Sequence, residues 1–380
     1  MEIIQINPAN KKEAQSFLNL PFRIYTGIPQ WVPPLASDAN LMLDARRHPF
    51  YRHSEAAFFL CLQAGQPIAR LAVLNNKRYN QFNHAQAAFF YLFETKNNPA
   101  AAAELFAAGG AWARARGLDE IIGPKGFTLL DGMGLLVKGF EHRPAFGLPY
   151  NPPYYPNLLT SLGFETESEV VSGYLDPSMQ LPSKLHEISR KIQERRGLHI
   201  AHFHTRRDLR SLIPHLKALY NGALEGTTGT YPLGDSDIDA MAAQLLWFAD
   251  PKLIKIVMKN AVDSDQTDKP AGFLLAYPDI SAALQKNKGR LFPFGWLTML
   301  LELKRTNWIN INGAGMLEEY RGLGGTAILF SEMYKAISAS GQFKHAEIVQ
   351  IGVDNERMQR ELRDLGVDFY KTHRVYRKDL

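Results

Sequence analysis

The sequence predicts a mixed α/β protein built from two similar halves in tandem, each a twisted mixed sheet flanked by helices. Two observations support this. Short segments recur in the same order in both halves, and β-rich runs alternate with stretches of helical periodicity along the chain. A length of 380 residues also suits two domains better than one.

The internal repeat is clearest in two pairs of segments. GQPIARLAVL, from Gly65, resembles DKPAGFLLAY, from Asp268, and each follows another β-rich run, so each predicts a β-hairpin. LLTSLGFETESEVVSGYLD, from Leu158, resembles ELRDLGVDFYKTHRVYRKDL, from Glu361. The shared order is hairpin, helix, strand, a Leu-Gly motif and a final strand. This order favours duplication over chance similarity.

The boundary between the halves is expected near Pro177 and Pro182, which precede a charged amphipathic helix. We therefore divide the chain into three parts. Residues 1–176 form an N-terminal domain, residues 177–197 form a linker with a connecting helix, and residues 198–380 form a C-terminal domain.

Each half is expected to contain a central strand that runs into a helix. In the second half the strand covers residues 307–316, and the helix that follows carries an apolar stripe and ends at Gly341. In the first half the strand covers residues 87–93 and leads to Asn98 and Pro99, which are typical of a helix cap and a first helical position. A glycine-rich loop separates strand and helix in the second half alone.

Composition limits the function classes. The net charge of +5 is mild and the basic residues are scattered, so nucleic-acid binding is not expected. Cys61 is the only cysteine and no signal peptide is visible, which favours a cytoplasmic location. The longest apolar run, Leu291–Leu301, is too short for a membrane span. It favours a buried core segment over an interfacial helix or a lid.

Three histidines, His199, His202 and His204, lie close together in HIAHFHTRR. His202 and His204 would share one face of a strand and could ligate a metal ion. No carboxylate or cysteine accompanies them locally, so exposed strand histidines are favoured and no metal is predicted.

The stretch EEYRGLGGTAILF contains a glycine-rich loop, Arg321–Thr326, between the central strand and helix of the second half. Backbone N–H groups and the positive end of the helix dipole would suit a pyrophosphate there. The loop has neither the Gly-Lys-[Ser/Thr] of a Walker A loop nor the G-x-G-x-x-G spacing of a dinucleotide fingerprint. It matches [Q/R]-x-x-G-x-[G/A] at Arg321 and Gly324, with Thr326 in the last place. A purely structural turn is the alternative.

This motif resembles the acyl-CoA loop of the GCN5-related N-acetyltransferase (GNAT) superfamily. Gly313 and Gly315 are consistent with the bulge that splays the central strands in that family. Asn355 and the following ERMQRELRDLGV resemble the family segment N-x-x-A-x-x-x-Y-x-x-x-G-F. These motifs lie in residues 198–380, whereas the likeness of residues 55–175 is topological. The phrases GIPQWVPPL, GPKGF and PYNPPYYP resemble an uncharacterised bacterial tandem-GNAT subfamily.

The resemblance implies two tandem acyl-CoA N-acyltransferase-like domains. It implies acetyl-CoA or another acyl-CoA as co-substrate, and an amine acceptor on a small molecule or a peptide. The cofactor contacts that it implies are Met316, Leu317, Arg321, Gly322, Leu323, Gly324, Gly325, Thr326 and Asn355. Because the first half lacks the loop, it is expected to be a degenerate copy that shapes a substrate site at the domain junction.

Three positions depart from the family segment, namely Met358, Leu362 and Val367. In many relatives the tyrosine replaced here by Leu362 protonates the departing CoA thiolate, and leucine has no proton to give. A non-catalytic acyl-CoA-binding or sensing protein is therefore one alternative to a transferase. An aminoacyl transferase similar to the Fem-type peptidoglycan-bridge enzymes is another, and the weak basic patterning counts against it.

No residue stands out as a general base for removing the proton of an amine. Asn312, Tyr277 and Glu347 are weak candidates, and Asn310 shares a strand face with Asn312. The length of the acyl chain is also open. A long-chain donor is one option, because RLFPFGWLTMLLEL could line an apolar groove.

Overall fold

A computed structural model describes residues 1–128, 131–176, 183–210, 213–223, 231–239, 242, 250–261 and 267–380. The strands of this described part lie in one continuous mixed sheet. They are β1 (Glu2–Gln5), β2 (Glu55–Gln63), β3 (Gln66–Asn75), β4 (Ala87–Thr95), β5 (Glu120–Gly123), β6 (Leu135–Lys138), β7 (Glu165–Leu175), β8 (Leu198–Ile200), β9 (Ile254–Lys259), β10 (Lys269–Pro278), β11 (Trp308–Met316), β12 (His345–Gly352) and β13 (Asp368–Asp379).

Helices cover both faces of the sheet. They are α1 (Lys11–Ile24), α2 (Ala36–Met42), α3 (Lys77–Asn83), α4 (Pro99–Arg114), α5 (Tyr155–Ser161), α6 (Ser183–Arg196), α7 (Arg206–Arg210), α8 (Ile213–Ala223), α9 (Ser281–Asn287), α10 (Gly295–Arg305), α11 (Gly325–Ser340) and α12 (Glu356–Asp364). Short 3₁₀ turns lie at Pro49–Arg52, Pro251–Leu253 and Glu318–Tyr320. In the first half α1 and α4 pack on opposite faces of the sheet. In the second half α11 covers the main core.

The strand order is β1-β2-β3-β4-β5-β13-β7-β12-β11-β10-β9-β8, with β6 also paired to β13. The last strand of the chain, β13, therefore lies between β5 and β7 of the first half. In turn β7 pairs with β12 of the second half. The final strands of the two halves thus lie side by side at the centre of the sheet, and each pairs with the other half.

The two halves share details of geometry as well as order. Hairpins β2–β3 and β9–β10 form as predicted, and each half contains one parallel pair, β4–β5 or β11–β12. The central strand of each half also carries a β-bulge with one residue in the left-handed region. This residue is Leu92 (φ +50°) in β4 and Gly313 (φ +93°) in β11. The bulge predicted in the second half is therefore confirmed.

Local helix signals in the sequence were reliable. Asn98 caps α4 by accepting the Ala101 N–H at 3.1 Å, and Pro99 is the first helical residue. Helix α11 ends at Gly341, whose φ of +62° favours glycine. The connecting helix α6 spans Ser183–Arg196, although the division into domains at this helix stays a prediction.

The interpretation of Leu291–Leu301 as a buried core segment is wrong. Only one edge of α10 packs on α9, through Met299 and the half-buried Leu303. Phe292 and Phe294 are 81% and 72% exposed. The apolar run was long enough for a core helix, but the part of the chain that the structure describes packs against it on one side alone.

Candidate functional site

The parallel strands β11 and β12 separate part-way along their length. Trp308–Ile311 pair with His345–Ile348, after which β11 continues to pair only with β10, as far as Met316. The bulge at Gly313 follows directly on the last parallel pair. The carboxyl ends of these two central strands are therefore unpaired with each other, and this opening in the pairing lies immediately before the glycine-rich loop.

Arg321 holds the glycine-rich loop against the end of β11. Its guanidinium donates to the carbonyl of Met316 at 3.2 Å and to that of Ala223 at 3.3 Å. The Leu317 N–H donates to the Ala271 carbonyl at 2.9 Å, which extends the pairing with β10 by one residue. The side chain of Arg321 thus shapes the loop through its backbone contacts.

The glycines of the loop allow a sharp entry into α11. Gly324 is the helix cap at φ +88°, and a β-carbon there would collide with Ile192 of α6. Gly322 has a φ of +77°, with open space around it. Among the described residues no side chain caps α11, so the first N–H groups of the helix have no side-chain acceptor there and the positive end of the helix dipole lies at the loop. This arrangement can accept an anionic group.

Asn355 lies after β12, at the same end of the sheet as the loop. Its side-chain oxygen accepts the Met358 N–H at 3.2 Å and caps α12. The side chain of Met316 is buried in the core of the second half, against Gly325. The structure therefore brings Met316, Leu317 and the loop together, and it gives Asn355 a structural role in its own helix.

A small apolar cavity of about 30 Å³ lies between α11, α12 and the sheet. It is lined by Leu175, Ile311, Phe330, Met333, Tyr334, Ile337, Ala346, Ile348, Leu362, Leu365 and Val367. Leu362 is 1% exposed, so it packs as a core residue beside the last paired positions of β11 and β12. Leu362 itself therefore supplies no hydroxyl at the position of the family tyrosine.

Two of the three catalytic candidates, Asn312 and Tyr277, contact each other. They lie on the face of the sheet opposite to the small cavity. The Asn312 side-chain amide donates to the Tyr277 hydroxyl at 3.0 Å, and that hydroxyl donates to the Phe146 carbonyl at 3.4 Å. Burial raises the pKa of Tyr277 to about 12. Tyr277 is therefore a neutral phenol at neutral pH, suited to hydrogen bonding rather than to acting as a base.

The third candidate, Glu347, is bound in an ion pair. Lys371 Nζ lies 2.8 and 2.9 Å from its two carboxylate oxygens and also donates to the Arg143 carbonyl at 2.7 Å. Both side chains are buried. Burial raises the pKa of Glu347 and lowers that of Lys371, and their contact opposes both shifts. This engagement leaves Glu347 a weak general base.

Sequence reasoning missed the carboxylate that organises this face. Asp279 accepts hydrogen bonds from the Arg143 guanidinium at 3.0 Å, the Phe146 N–H at 3.2 Å and the Asn310 amide at 3.0 Å. The available signal was an aspartate directly after the buried strand β10. Its partners Arg143 and Phe146 belong to the first half. The first half therefore packs on the polar face of the second half.

Comparison with solved structures decides the fold family. A tandem GNAT protein from the clavulanic acid biosynthesis pathway aligns with 100% of this chain and 98% of its own, with a TM-score of 0.56 and 10% sequence identity. The chain has the GNAT fold, in two copies. The suspected resemblance is confirmed at this level.

Two curated proteins match the tandem GNAT chain over nearly its whole length. Protein YghO from Escherichia coli (strain K12) is 24% identical over 381 residues, which cover 98% of this chain and 94% of that protein. Bacterial ceramide synthase from Caulobacter vibrioides (strain NA1000 / CB15N) is 25% identical over 377 residues, covering 97% and 95%. No protein-family model matches the sequence.

The first GNAT copy places a tyrosine at the end of its own central strand. Strands β4 and β5 pair over Ala87–Phe89 and then separate. Tyr155 of α5 places its hydroxyl at the end of β4, where it accepts the Thr95 N–H at 2.8 Å and lies 2.9 Å from a carboxylate oxygen of Glu94. In the second copy the same space lies beside the glycine-rich loop.

The three neighbouring histidines His199, His202 and His204 do not form a cluster. The His199 ring contacts Asn260 at 2.6 Å and Asp268 at 3.4 Å. His202 and His204 are exposed and follow β8, which ends at Ile200, so they do not share a strand face. Within the described ranges, no group of three His, Cys, Asp or Glu residues could hold a metal ion.

Proposed function

We propose that the protein is an acyl-CoA-dependent N-acyltransferase with one CoA site, in the second half. The observation that carries the proposal is the opening between β11 and β12 directly before the uncapped start of α11. An extended thioester arm can enter between separated strands, while a pyrophosphate binds at the helix N-terminus. The proposal requires no metal.

The proposed CoA contacts follow the path of the backbone. Met316 and Leu317 form the edge of the opening, and residues 321–326 supply N–H groups for the pyrophosphate. Asn355 lies across the opening, at the start of the next helix. The side chain of Arg321 keeps the loop in shape rather than binding phosphate, because it already donates to carbonyls.

We propose further that the acceptor is a long-chain amino alcohol. A ceramide is a long-chain amino alcohol acylated on nitrogen, and the Caulobacter relative named for its synthesis matches both halves. This narrows the broader expectation of an amine on a small molecule or a peptide. A cytoplasmic location stays a prediction.

In the proposed reaction the amine nitrogen attacks the thioester carbonyl carbon. The new C–N bond replaces the C–S bond, the amine loses one proton, and CoA leaves as a thiolate that takes up one proton to become the thiol. Asn312 and Tyr277 are proposed to orient the acceptor by hydrogen bonds. Because Leu362 is apolar and buried, the proton for the thiolate comes from solvent.

The first copy is proposed to have lost CoA binding. Tyr155 occupies the backbone groups at the end of its central strand, and no glycine loop follows that strand. The first copy instead contributes Arg143 and Phe146 to the polar face of the second half, where the acceptor would bind.

The first test measures binding. CoA, acetyl-CoA, octanoyl-CoA and palmitoyl-CoA are compared in thermal unfolding, where a ligand at 100 times its dissociation constant stabilises by about 2.7 kcal/mol. Gly322→Asp adds a negative charge in open space and is expected to weaken binding about tenfold. Gly322→Asn has the same shape without the charge and serves as the matched control. Equal binding by both variants would place the pyrophosphate elsewhere.

The second test measures transfer. Thiol release from acyl-CoA is followed with sphinganine, an amino sugar or a short peptide as acceptor. Sphinganine is expected to give the fastest release. A binding-only protein is the second candidate, favoured by Leu362 in place of tyrosine, and it predicts stabilisation by acyl-CoA without release for any amine. No stabilisation by any CoA compound would overturn both candidates.

A further inference from the structure

Six large apolar side chains are exposed on the second half, at the start of α10 and along one side of it. We call this set the α10 surface. It consists of Phe292, Phe294, Trp296, Leu297, Leu300 and Leu301, with exposed fractions of 81%, 72%, 42%, 43%, 51% and 57%. A run of six large apolar side chains at this exposure is unusual on a folded protein and marks a binding surface.

Helix α10 is amphipathic, but its more apolar side faces outward instead of packing on the protein. Trp296, Leu297, Leu300 and Leu301 repeat at helical spacing on that side, and Lys304 extends it. On the inner side Met299 packs on α9. The α10 surface is therefore presented on a helix that is anchored from behind, with its apolar side chains available for contact.

Basic residues flank this surface along the chain. Lys286, Lys288, Arg290, Lys304 and Arg305 are all exposed. Within the described residues none of the five forms an ion pair, and Glu302 is the only carboxylate between the first and the last of them. The segment that carries the apolar side chains therefore has a net positive charge, with five cations and one carboxylate between Lys286 and Arg305.

We propose that the α10 surface binds the interface of a bilayer that contains anionic lipids. Aromatic and leucine side chains on one side of a helix with lysine and arginine around it are the features of helices that lie in the headgroup region. Eleven residues make α10 about 16 Å long, enough to lie in the plane of the membrane but far short of the ~30 Å core. Among the described residues, no helix has the length and apolar character needed to cross a bilayer.

Charge favours a bilayer over a second copy of the chain. An isologous dimer through the α10 surface would bring two sets of five cations together. Anionic headgroups instead neutralise the cations while the acyl region receives the aromatic side chains.

The surface also lies near the candidate acceptor site. Helix α9, on which α10 packs, begins two residues after Asp279, and Phe146 contacts both Tyr277 and the α9–α10 core. If the acceptor is a membrane-embedded amine, bilayer binding would bring the site to its substrate. That last step rests on the proposed function, whereas the membrane binding does not.

The test is sedimentation of the full chain with vesicles, without any acyl-CoA or amine. Vesicles of phosphatidylcholine alone are compared with vesicles of equal parts phosphatidylcholine and phosphatidylglycerol. The protein is expected to bind the anionic vesicles and to bind the neutral ones more weakly. Phe292→Ser/Phe294→Ser is expected to lower the partition coefficient about tenfold or more. Phe82→Ser, at a side chain 55% exposed on the first half, is the matched control and should bind as wild type.

The electrostatic part is tested separately. Lys304→Glu/Arg305→Glu is expected to lower binding to anionic vesicles at least about fivefold for each residue. Lys11→Glu/Lys12→Glu, at exposed positions of α1, should have no such effect. The circular dichroism and melting temperature of each variant are compared with those of wild type to exclude unfolding.

Three results would overturn the proposal. The first is that the wild-type protein does not bind anionic vesicles. The second is that Phe292→Ser/Phe294→Ser binds them as well as wild type does. The third is that light scattering shows a dimer of the wild-type protein and a monomer of this variant, while neither protein binds vesicles. A second copy of the chain would then cover the α10 surface. Because no co-substrate is present, these outcomes are independent of the test for acyl transfer.

Discussion

Replacing Lys371 by methionine is expected to destabilise the protein in a pH-dependent manner. Lys371 is fully buried on β13 and holds both carboxylate oxygens of Glu347 as well as the carbonyl of Arg143. Methionine has a similar length but no charge and no donor. The variant Lys371→Met therefore leaves the buried carboxylate of Glu347 without its lysine partner and the Arg143 carbonyl without its lysine donor.

The magnitude follows from these contacts. Breaking a buried ion pair by removing one partner costs about 3–5 kcal/mol. Natural proteins have total stabilities of about 5–15 kcal/mol, so Lys371→Met is expected to remain folded with a large fall in stability. In Lys371→Met/Glu347→Gln neither member of this pair carries a charge. We expect this double variant to recover about 2 kcal/mol relative to Lys371→Met at pH 8.

The sign of the pH effect follows from the raised pKa of Glu347, whose main cause is burial. Without Lys371 the largest interaction that opposes this effect is lost, so the folded variant retains a proton on Glu347 at pH values where the unfolded chain has lost it. The stability of Lys371→Met relative to wild type is then highest below a pH of about 4.3, the ordinary carboxyl value, and falls as pH rises through the raised pKa.

Urea denaturation of wild type, Lys371→Met and the double variant between about pH 4.5 and pH 8 measures these differences. The reasoning is wrong if Lys371→Met costs less than about 1 kcal/mol at pH 8. It is also wrong if the cost is the same at both ends of the range, or if the double variant is no more stable than the single one.

Three further changes test other contacts. Tyr155→Phe removes the hydroxyl that the Thr95 N–H donates to, and it should cost about 1–3 kcal/mol in urea denaturation. Asn312→Ala should lower the rate of thiol release about tenfold or more while leaving CoA binding within about twofold, because its contact lies on the acceptor face. Burial lowers the pKa of His373 to about 4, so stability should fall as pH drops from about 6.5 towards 4. His373→Gln, which keeps a donor for the Pro149 carbonyl, should lessen that fall in pH-dependent denaturation.

Local structure could be predicted from the sequence where it depends on residues that are close in the chain. The Asn98 cap, the Gly341 end of α11 and the bulge at Gly313 each depend on residues close in the chain. The tandem fold followed from the order of the repeated segments. The path of the glycine loop also followed, because left-handed glycines before a helix admit few conformations.

The polar face of the second half could not be predicted in the same way. Lys371 and Glu347 are 24 positions apart, and Arg143 reaches Asp279 across 136 positions. Those contacts depend on the exchange of β7 and β13, and no local pattern encodes which half a strand will join. The exposed α10 surface was misinterpreted for a related reason, since an apolar run does not reveal whether the fold supplies a partner for it.

The strand exchange implies that neither half is stable alone, which fragments of the chain can test. In residues 183–380 expressed alone, β13 would lose both β5 and β7, and β12 would lose its neighbour β7. Open edges and uncovered core of this extent favour aggregation. Residues 1–176 co-expressed with residues 183–380 should instead copurify as a folded complex, because each fragment supplies the strand that the other lacks. A soluble, cooperatively unfolding 183–380 fragment would show that β13 can pair within its own half, and that the first copy is dispensable for the fold.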